Sequence, residues 1–148
     1  MPFRRPVPDL QTLSAALVSA LLLTSAAKHF REPEFFHPVV PDLLCRDDSG
    51  EQPNGPLAVL SREEWVAASG LLEAAAAVGL LIPATRPAAA GCVTALFTAF
   101  LAGHVGALRA AYGPEGTQRG RRVHTLRLPL QAPLIAWAWT LTRRSRRP

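Results

Sequence analysis

Residues 65–83 read WVAASGLLEAAAAVGLLIP, and this stretch decides the fold. It is 19 residues long and carries one ionisable side chain, Glu73. Crossing the hydrocarbon core of a bilayer takes about 20 apolar residues, and in lipid every backbone amide must be paired within its own segment. A stretch of this kind therefore reads as a membrane-crossing helix. A buried helix of a soluble bundle would show a polar face, and none recurs here at helical spacing. Three further blocks share the pattern: residues 10–27 have no charged side chain, residues 88–108 carry only His104, and residues 126–142 carry only Arg127. The expected fold class is all-α, an antiparallel bundle of four transmembrane helices near 10–29, 65–83, 88–111 and 125–143. It forms a single membrane domain over 1–148, with an extramembrane loop over 30–64.

Local signals mark the boundaries. Ser61-Arg62-Glu63-Glu64 has the Ser-x-x-Glu spacing of a capping box. Pro83 and Pro87 bracket a very short turn, Ala84-Thr85-Arg86, which makes the second and third helices an antiparallel hairpin. Pro129 and Pro133 each remove a backbone donor, so the fourth helix should start late or bend there. Gln52-Pro53-Asn54-Gly55-Pro56 reads as a mobile turn within the stretch 45–56. The first block has a second reading. Arg4 and Arg5, an apolar run, and then Thr24-Ser25-Ala26-Ala27 also describe a cleavable signal peptide, which would leave three spans.

Composition narrows the classes. Of 148 residues, 49% are hydrophobic and only 18% charged, against about a quarter in an ordinary soluble domain, and the charges are bunched between the apolar blocks. That excludes a disordered chain. The pI near 10.5 would suit a nucleic-acid partner, but the arginine clusters abut the apolar blocks, where anionic lipid headgroups account for them more simply. The expected partner is the lipid bilayer, and no nucleic acid. Cys45 and Cys92 sit toward opposite ends of the bundle and cannot staple a scaffold. His29, His37, His104 and His124 lack metal-site spacing, so no metal is expected. Trp65, Trp137 and Trp139 read as interface anchors. The basic residues of the two sides count nearly equal. The arginines packed against the last span tip positive-inside weighting toward both termini in the cytoplasm.

Ionisable and amide side chains inside spans are the candidate site. An ionisable residue in a membrane helix is expensive and marks a functional hypothesis by default. Glu73 lies eight residues past Trp65, about 12 Å along the helix, with Gly70, Ala74 and Ala77 as its small helical neighbours. His29 closes the first helix, His104 is near the end of the third, and Arg127 opens the fourth with Gln131 one turn on. Alternating helix direction puts all five in one leaflet. Glu73 is expected to be buried and to contact Arg127, His104 or both. Two readings stay open: an ion pair that fixes helix register, or a proton-relay or ligand-contact site. Beyond the first helix, Phe30, Phe35 and Phe36, with Pro33, Pro38 and Pro41, form an apolar, helix-breaking run. It is expected to fold back over the polar leaflet as a cap, with its rings at headgroup depth.

Four segments in series resemble the DoxX-like family of small bacterial membrane proteins. They are Lys28-His29-Phe30-Arg31-Glu32-Pro33-Glu34-Phe35-Phe36 with Pro38 and Pro41, then Ser69-Gly70-Leu71-Leu72-Glu73. Leu80-Leu81-Ile82-Pro83 with Thr85-Arg86 follows, and last Arg127-Leu128-Pro129-Leu130-Gln131 running into Trp137-Ala138-Trp139. The resemblance spans about residues 10–143. It implies a four-helix bundle in the bacterial cytoplasmic membrane, with His29, Phe35, Glu73, Arg127 and Gln131 at family-typical positions. It also implies a role as an accessory subunit of a membrane redox system, quinone- or thiol-linked, with quinone as the cofactor it would admit and a membrane redox enzyme as partner. The chain departs from the pattern at Cys45 to Pro56, an acidic insertion, and at Ala102-Gly103-His104, where relatives often carry a Pro and an Asn. With no cysteine pair, catalysis of thiol chemistry by this chain alone is not expected. The alternative function is a non-enzymatic factor that assembles or stabilises a partner protein. Transport ranks last, because four short spans without an inverted repeat are few for alternating access.

Overall fold

The Ser61–Glu64 capping box forms as its spacing predicts: the Ser61 hydroxyl accepts from the Glu64 amide at 3.2 Å, and the Glu64 carboxylate accepts from the Ser61 amide at 2.8 Å. This is a computed structural model describing residues 9–47, 49 and 54–143. Four α-helices follow one another: α1 Leu10–Arg31, α2 Arg62–Leu81, α3 Arg86–Ala111 and α4 Gln118–Thr140. Three 3₁₀ turns, Pro33–Phe35, His37–Val39 and Asp42–Leu44, lie between α1 and α2. Among the described residues the fold is all-helical, apart from an isolated parallel bridge between Cys45 and Leu60. Among those residues α1, α2 and α3 are long and apolar enough to cross a membrane.

α4 differs from its expected extent. It begins at Gln118 instead of near 125, because Thr117 caps it by accepting from the Gly120 amide at 3.1 Å. The segment carrying Arg119, Arg121 and Arg122 is therefore helix and not loop. Pro129 and Pro133 both lie inside the helix, so the late start expected of them does not occur. α3 likewise starts at Arg86, which the sequence reading left in the turn.

Packing is arranged in two antiparallel pairs, α1 with α2 and α3 with α4, linked by the α2–α3 hairpin. The hydrophobic core lies toward the end where α1 begins and α4 finishes. It contains Ala15, Val18 and Leu22 of α1, Ala77 and Leu80 of α2, Ala90, Val93 and Phe97 of α3, then Ala138 and Leu141. Small residues let these helices approach closely, since dispersion contacts and interhelical hydrogen bonds replace the hydrophobic effect in lipid. Ser19 Oγ donates to the Ala77 carbonyl at 2.9 Å, and Trp137 Nε1 donates to Ser14 Oγ at 2.5 Å. Buried Arg86 donates through Nε to the Leu80 carbonyl at 2.9 Å and through a terminal nitrogen to Thr12 Oγ1 at 3.4 Å. α1 is thus built into the core.

The loop between α1 and α2 is docked. Arg62 donates to the His37 and Val40 carbonyls, both at 2.8 Å, and to the Asp42 carboxylate. Trp65 Nε1 donates to the Leu44 carbonyl at 2.7 Å. Residues 48 and 50–53 of the stretch expected to be mobile lie outside the described residues. Its two ends are tied, since Asn54 Oδ1 accepts from the Asp47 amide at 2.6 Å and Asn54 Nδ2 donates to the Asp47 carbonyl at 3.2 Å.

A capped candidate ligand cavity

At the other end of the bundle the helix pairs enclose a cavity of about 490 Å³. His29, Glu73, His104, Arg127 and Gln131 all line it, so the five polar residues singled out from sequence meet in one place. The remaining wall is mostly apolar, including Leu22, Leu72, Phe97, Phe100 and Leu134, with Ser25 and Ser69 as further polar members. The lining residues Leu21, Leu72 and Leu130 are also exposed on the outer face of the bundle, so the wall is continuous with the surface that lipid would cover. Small-molecule sites commonly have this size and this mix of apolar wall with a few convergent polar groups.

Gly70 explains how α1 and α2 come close enough to form the polar end. A Cβ there would stand 2.8 Å from the His29 Cβ. His29 is buried, and its Nδ1 lies 2.9 Å from the Val66 carbonyl and 3.2 Å from Ser69 Oγ. Ser69 Oγ itself donates to the same carbonyl. The other ring nitrogen, Nε2, faces Glu73 Oε1 at 3.6 Å, within ion-pair range but longer than a hydrogen bond. Glu73 is 2% exposed. The expected partners of Glu73 are corrected here: among the described residues its ion-pair partner is His29, and neither Arg127 nor His104 approaches within 4.0 Å as an ion pair. Depth decides this. His29 ends α1 beside Gly70, whereas Arg127 is turned toward the cap, with its guanidinium 4.7 Å from the centre of the Phe35 ring.

Four of the five residues have a buried polar atom without a hydrogen-bond partner among the described residues: His29 Nε2, Glu73 Oε2, His104 Nδ1 and Gln131 Oε1. Leaving such an atom unpaired costs about 1–3 kcal/mol, more if charged. Four around one cavity exceed what a purely structural ion pair would need.

The residues of the expected cap divide unevenly over the cavity. Phe36 is buried and stacks on His29, with ring centroids 3.6 Å apart and planes 19° apart. Phe36, Val39, Val40, Pro41 and Leu44 line the cavity from above. Phe30 and Phe35 are exposed, Pro38 is exposed and does not line the cavity, and Phe35 receives Lys28 Nζ at 4.1 Å as well as Arg127. The cap therefore rests on Phe36 and Pro41, with Phe30, Phe35 and Pro38 on its outer side. Sequence reasoning missed the seat of the cap. A Cβ at Gly103 would fall 2.1 Å from the Val39 carbonyl oxygen, so only glycine admits the 3₁₀ turn against α3. The glycine beside His104 was the available signal.

An all-helical bundle with three helices apolar enough for a membrane, closed over a cavity with a polar end, defines the class. The chain belongs to the family described as a domain of unknown function, DUF8561, whose model matches residues 18–142. No curated protein and no solved structure matches it.

Proposed function

We propose that the chain is a four-span protein of the bacterial cytoplasmic membrane, DoxX-like, whose capped cavity binds a lipid-soluble ring compound of the quinone class. In this reading it acts as an accessory subunit of a quinone- or thiol-linked membrane redox system. The observation that carries the binding role is the set of four unpartnered buried polar atoms on one cavity whose other walls are mostly apolar and reach the outer surface of the bundle. A quinone has that division: polar oxygens on a ring, and an apolar tail.

A fourth span is supported by the ends of α4. Trp137 bonds to Ser14, and Gln11 Nε2 donates to the Arg143 carbonyl at 2.6 Å, so α4 runs the length of the bundle back to the start of α1. The part of α4 beyond Arg122, residues 123–140, is about 27 Å long at 1.5 Å per residue, near the short end for a span, with Arg119, Arg121 and Arg122 left at the headgroups. With four spans both termini would share one side, and the arginine weighting favours the cytoplasm for it.

The test is purification of the full chain from its native membrane in mild detergent, followed by solvent extraction and absorption spectra before and after borohydride. Stoichiometric quinone with a reduction-dependent spectrum is the expected result. Purified protein free of quinone that also fails to take up added benzoquinone would overturn the proposal. The assembly-factor reading draws on one observation. Cys45 and Cys92 are both free and stand on different parts of the bundle, so thiol chemistry would belong to a partner.

A further inference from the structure

The hydrogen-bonding capacity of the cavity's polar end selects among ligands more sharply than its shape does. His29 Nδ1 lies 2.9 Å from a backbone carbonyl, which only accepts, so Nδ1 carries a hydrogen. Nε2 is then either a bare acceptor or a protonated donor, and it faces a carboxylate oxygen at 3.6 Å. Lone pair against lone pair, both out of water, is repulsive, so the His29–Glu73 pair holds at least one proton. With one proton, on Nε2 or on Oε1, the free oxygen of Glu73 remains an acceptor. Gln131 Oε1 is a second unpartnered acceptor on the same cavity. The other charged or titratable groups lining it are His104 from α3 and Arg127 from α4, while Phe36 of the cap covers the face of the His29 ring.

We infer that this end of the cavity is built for a ligand that donates hydrogen bonds through hydroxyl groups, and so favours the reduced, dihydroxy form of a ring compound over its dicarbonyl form. A hydroxyl both donates and accepts, so it satisfies Glu73 Oε2 and still takes a hydrogen bond from a protonated His29 Nε2. A carbonyl only accepts and leaves the Glu73 and Gln131 oxygens unmade. The inference rests on the ligand reading above and specifies its substrate class: the cavity holds the quinol, the electron-donating partner of the couple.

The experiment measures binding of three probes to the purified full chain by tryptophan fluorescence: a decyl benzoquinol kept reduced, the same compound oxidised, and a decyl phenol without redox chemistry. One unmade hydrogen bond to a buried acceptor corresponds to about tenfold or more in affinity. The quinol and the phenol are expected to bind tighter than the quinone by at least that factor. The preference should persist in Glu73→Gln, which keeps an outward oxygen, shrink in Glu73→Leu, where Gln131 Oε1 is the acceptor left, and vanish in Glu73→Leu combined with Gln131→Leu. Tighter binding of the oxidised form overturns the hydroxyl inference and leaves the quinone-class reading standing. Phenol binding without binding of either benzoquinone form keeps the hydroxyl inference and removes the quinone class. Binding of none of the three overturns both. Nitrogen-15 spectra of labelled histidine, assigned with His29→Gln, test the pair with no ligand added. A protonated Nδ1 and an Nε2 signal that moves on Glu73→Gln are expected, and an unprotonated Nδ1 defeats the inference.

Discussion

The ring of Phe36 lies flat on the imidazole of His29, so a loop residue and the last turn of α1 close the same end of the cavity. Phe36 is 7% exposed, which makes it a core residue of an otherwise open segment. Replacing it with alanine should cost about 3 kcal/mol, the low end for a buried Phe→Ala change. Amide exchange over residues 36–44 should accelerate more than exchange in α3. Unchanged protection of the loop would show that the Arg62 hydrogen bonds hold the cap alone.

Gly103 and Gly106 make a matched pair on α3. A methyl at Gly103 collides with the Val39 carbonyl, whereas nothing stands within 4 Å of a Cβ at Gly106. Gly103→Ala should lower the melting temperature in detergent by the equivalent of about 1–3 kcal/mol and loosen the cap. Gly106→Ala should be neutral or stabilise by up to about 1 kcal/mol through helix propensity. Equal responses at the two positions would contradict the docked turn.

Removing one member of the His29–Glu73 pair leaves the other buried and unpaired. His29→Leu and Glu73→Leu should each destabilise, and the double change should cost less than the sum, with a coupling of about 1–3 kcal/mol. Glu73→Leu combined with Arg127→Leu should be additive, since those two side chains form no ion pair. A double-mutant cycle in detergent reads both.

Ser61→Ala removes one half of the capping box at the start of α2. A loss of about 1 kcal/mol is expected, with fraying confined to the first turn and the cavity end undisturbed. Thermal melts with exchange mapping of residues 61–66 check it.

Burial pushes the Cys45 thiol up from its ordinary range, against the lowering effect of the nearby Arg62 guanidinium. Its Sγ also lies 3.5 Å from the Pro41 carbonyl, a contact only the thiol form can make as donor. Only the thiolate reacts with maleimide, so less reactive form is present at neutral pH. An impermeant maleimide should label Cys45 more slowly than an unstructured cysteine, from one side of the membrane only, and faster as pH rises. Labelling at the free-thiol rate at pH 7 would mean the loop is undocked.

The apolar blocks, the hairpin and the capping box were legible because each depends on a few neighbouring residues. That five distant polar residues share one end was also legible, since alternating helix direction alone puts them there. The partner of Glu73 was not. Choosing His29 over Arg127 requires the depth at which α1 meets α2, and that depth is set by the absence of a Cβ at Gly70. The start of α4 was missed because three arginines within five residues resemble a loop, while the cap at Thr117 is a single weak signal. Arg86 was read as part of the short Ala84-Thr85-Arg86 turn. It is 7% exposed because its guanidinium replaces water with the Leu80 carbonyl and the Thr12 hydroxyl.

That arginine fastens the α2–α3 hairpin to the first turn of α1, at the end where Trp137 meets Ser14 and the alanine-rich core is tightest. None of the residues in this clamp lines the cavity, so the ties that hold the helix ends together and the groups that would meet a ligand are separate sets of side chains. Changes to one set leave the contacts of the other in place.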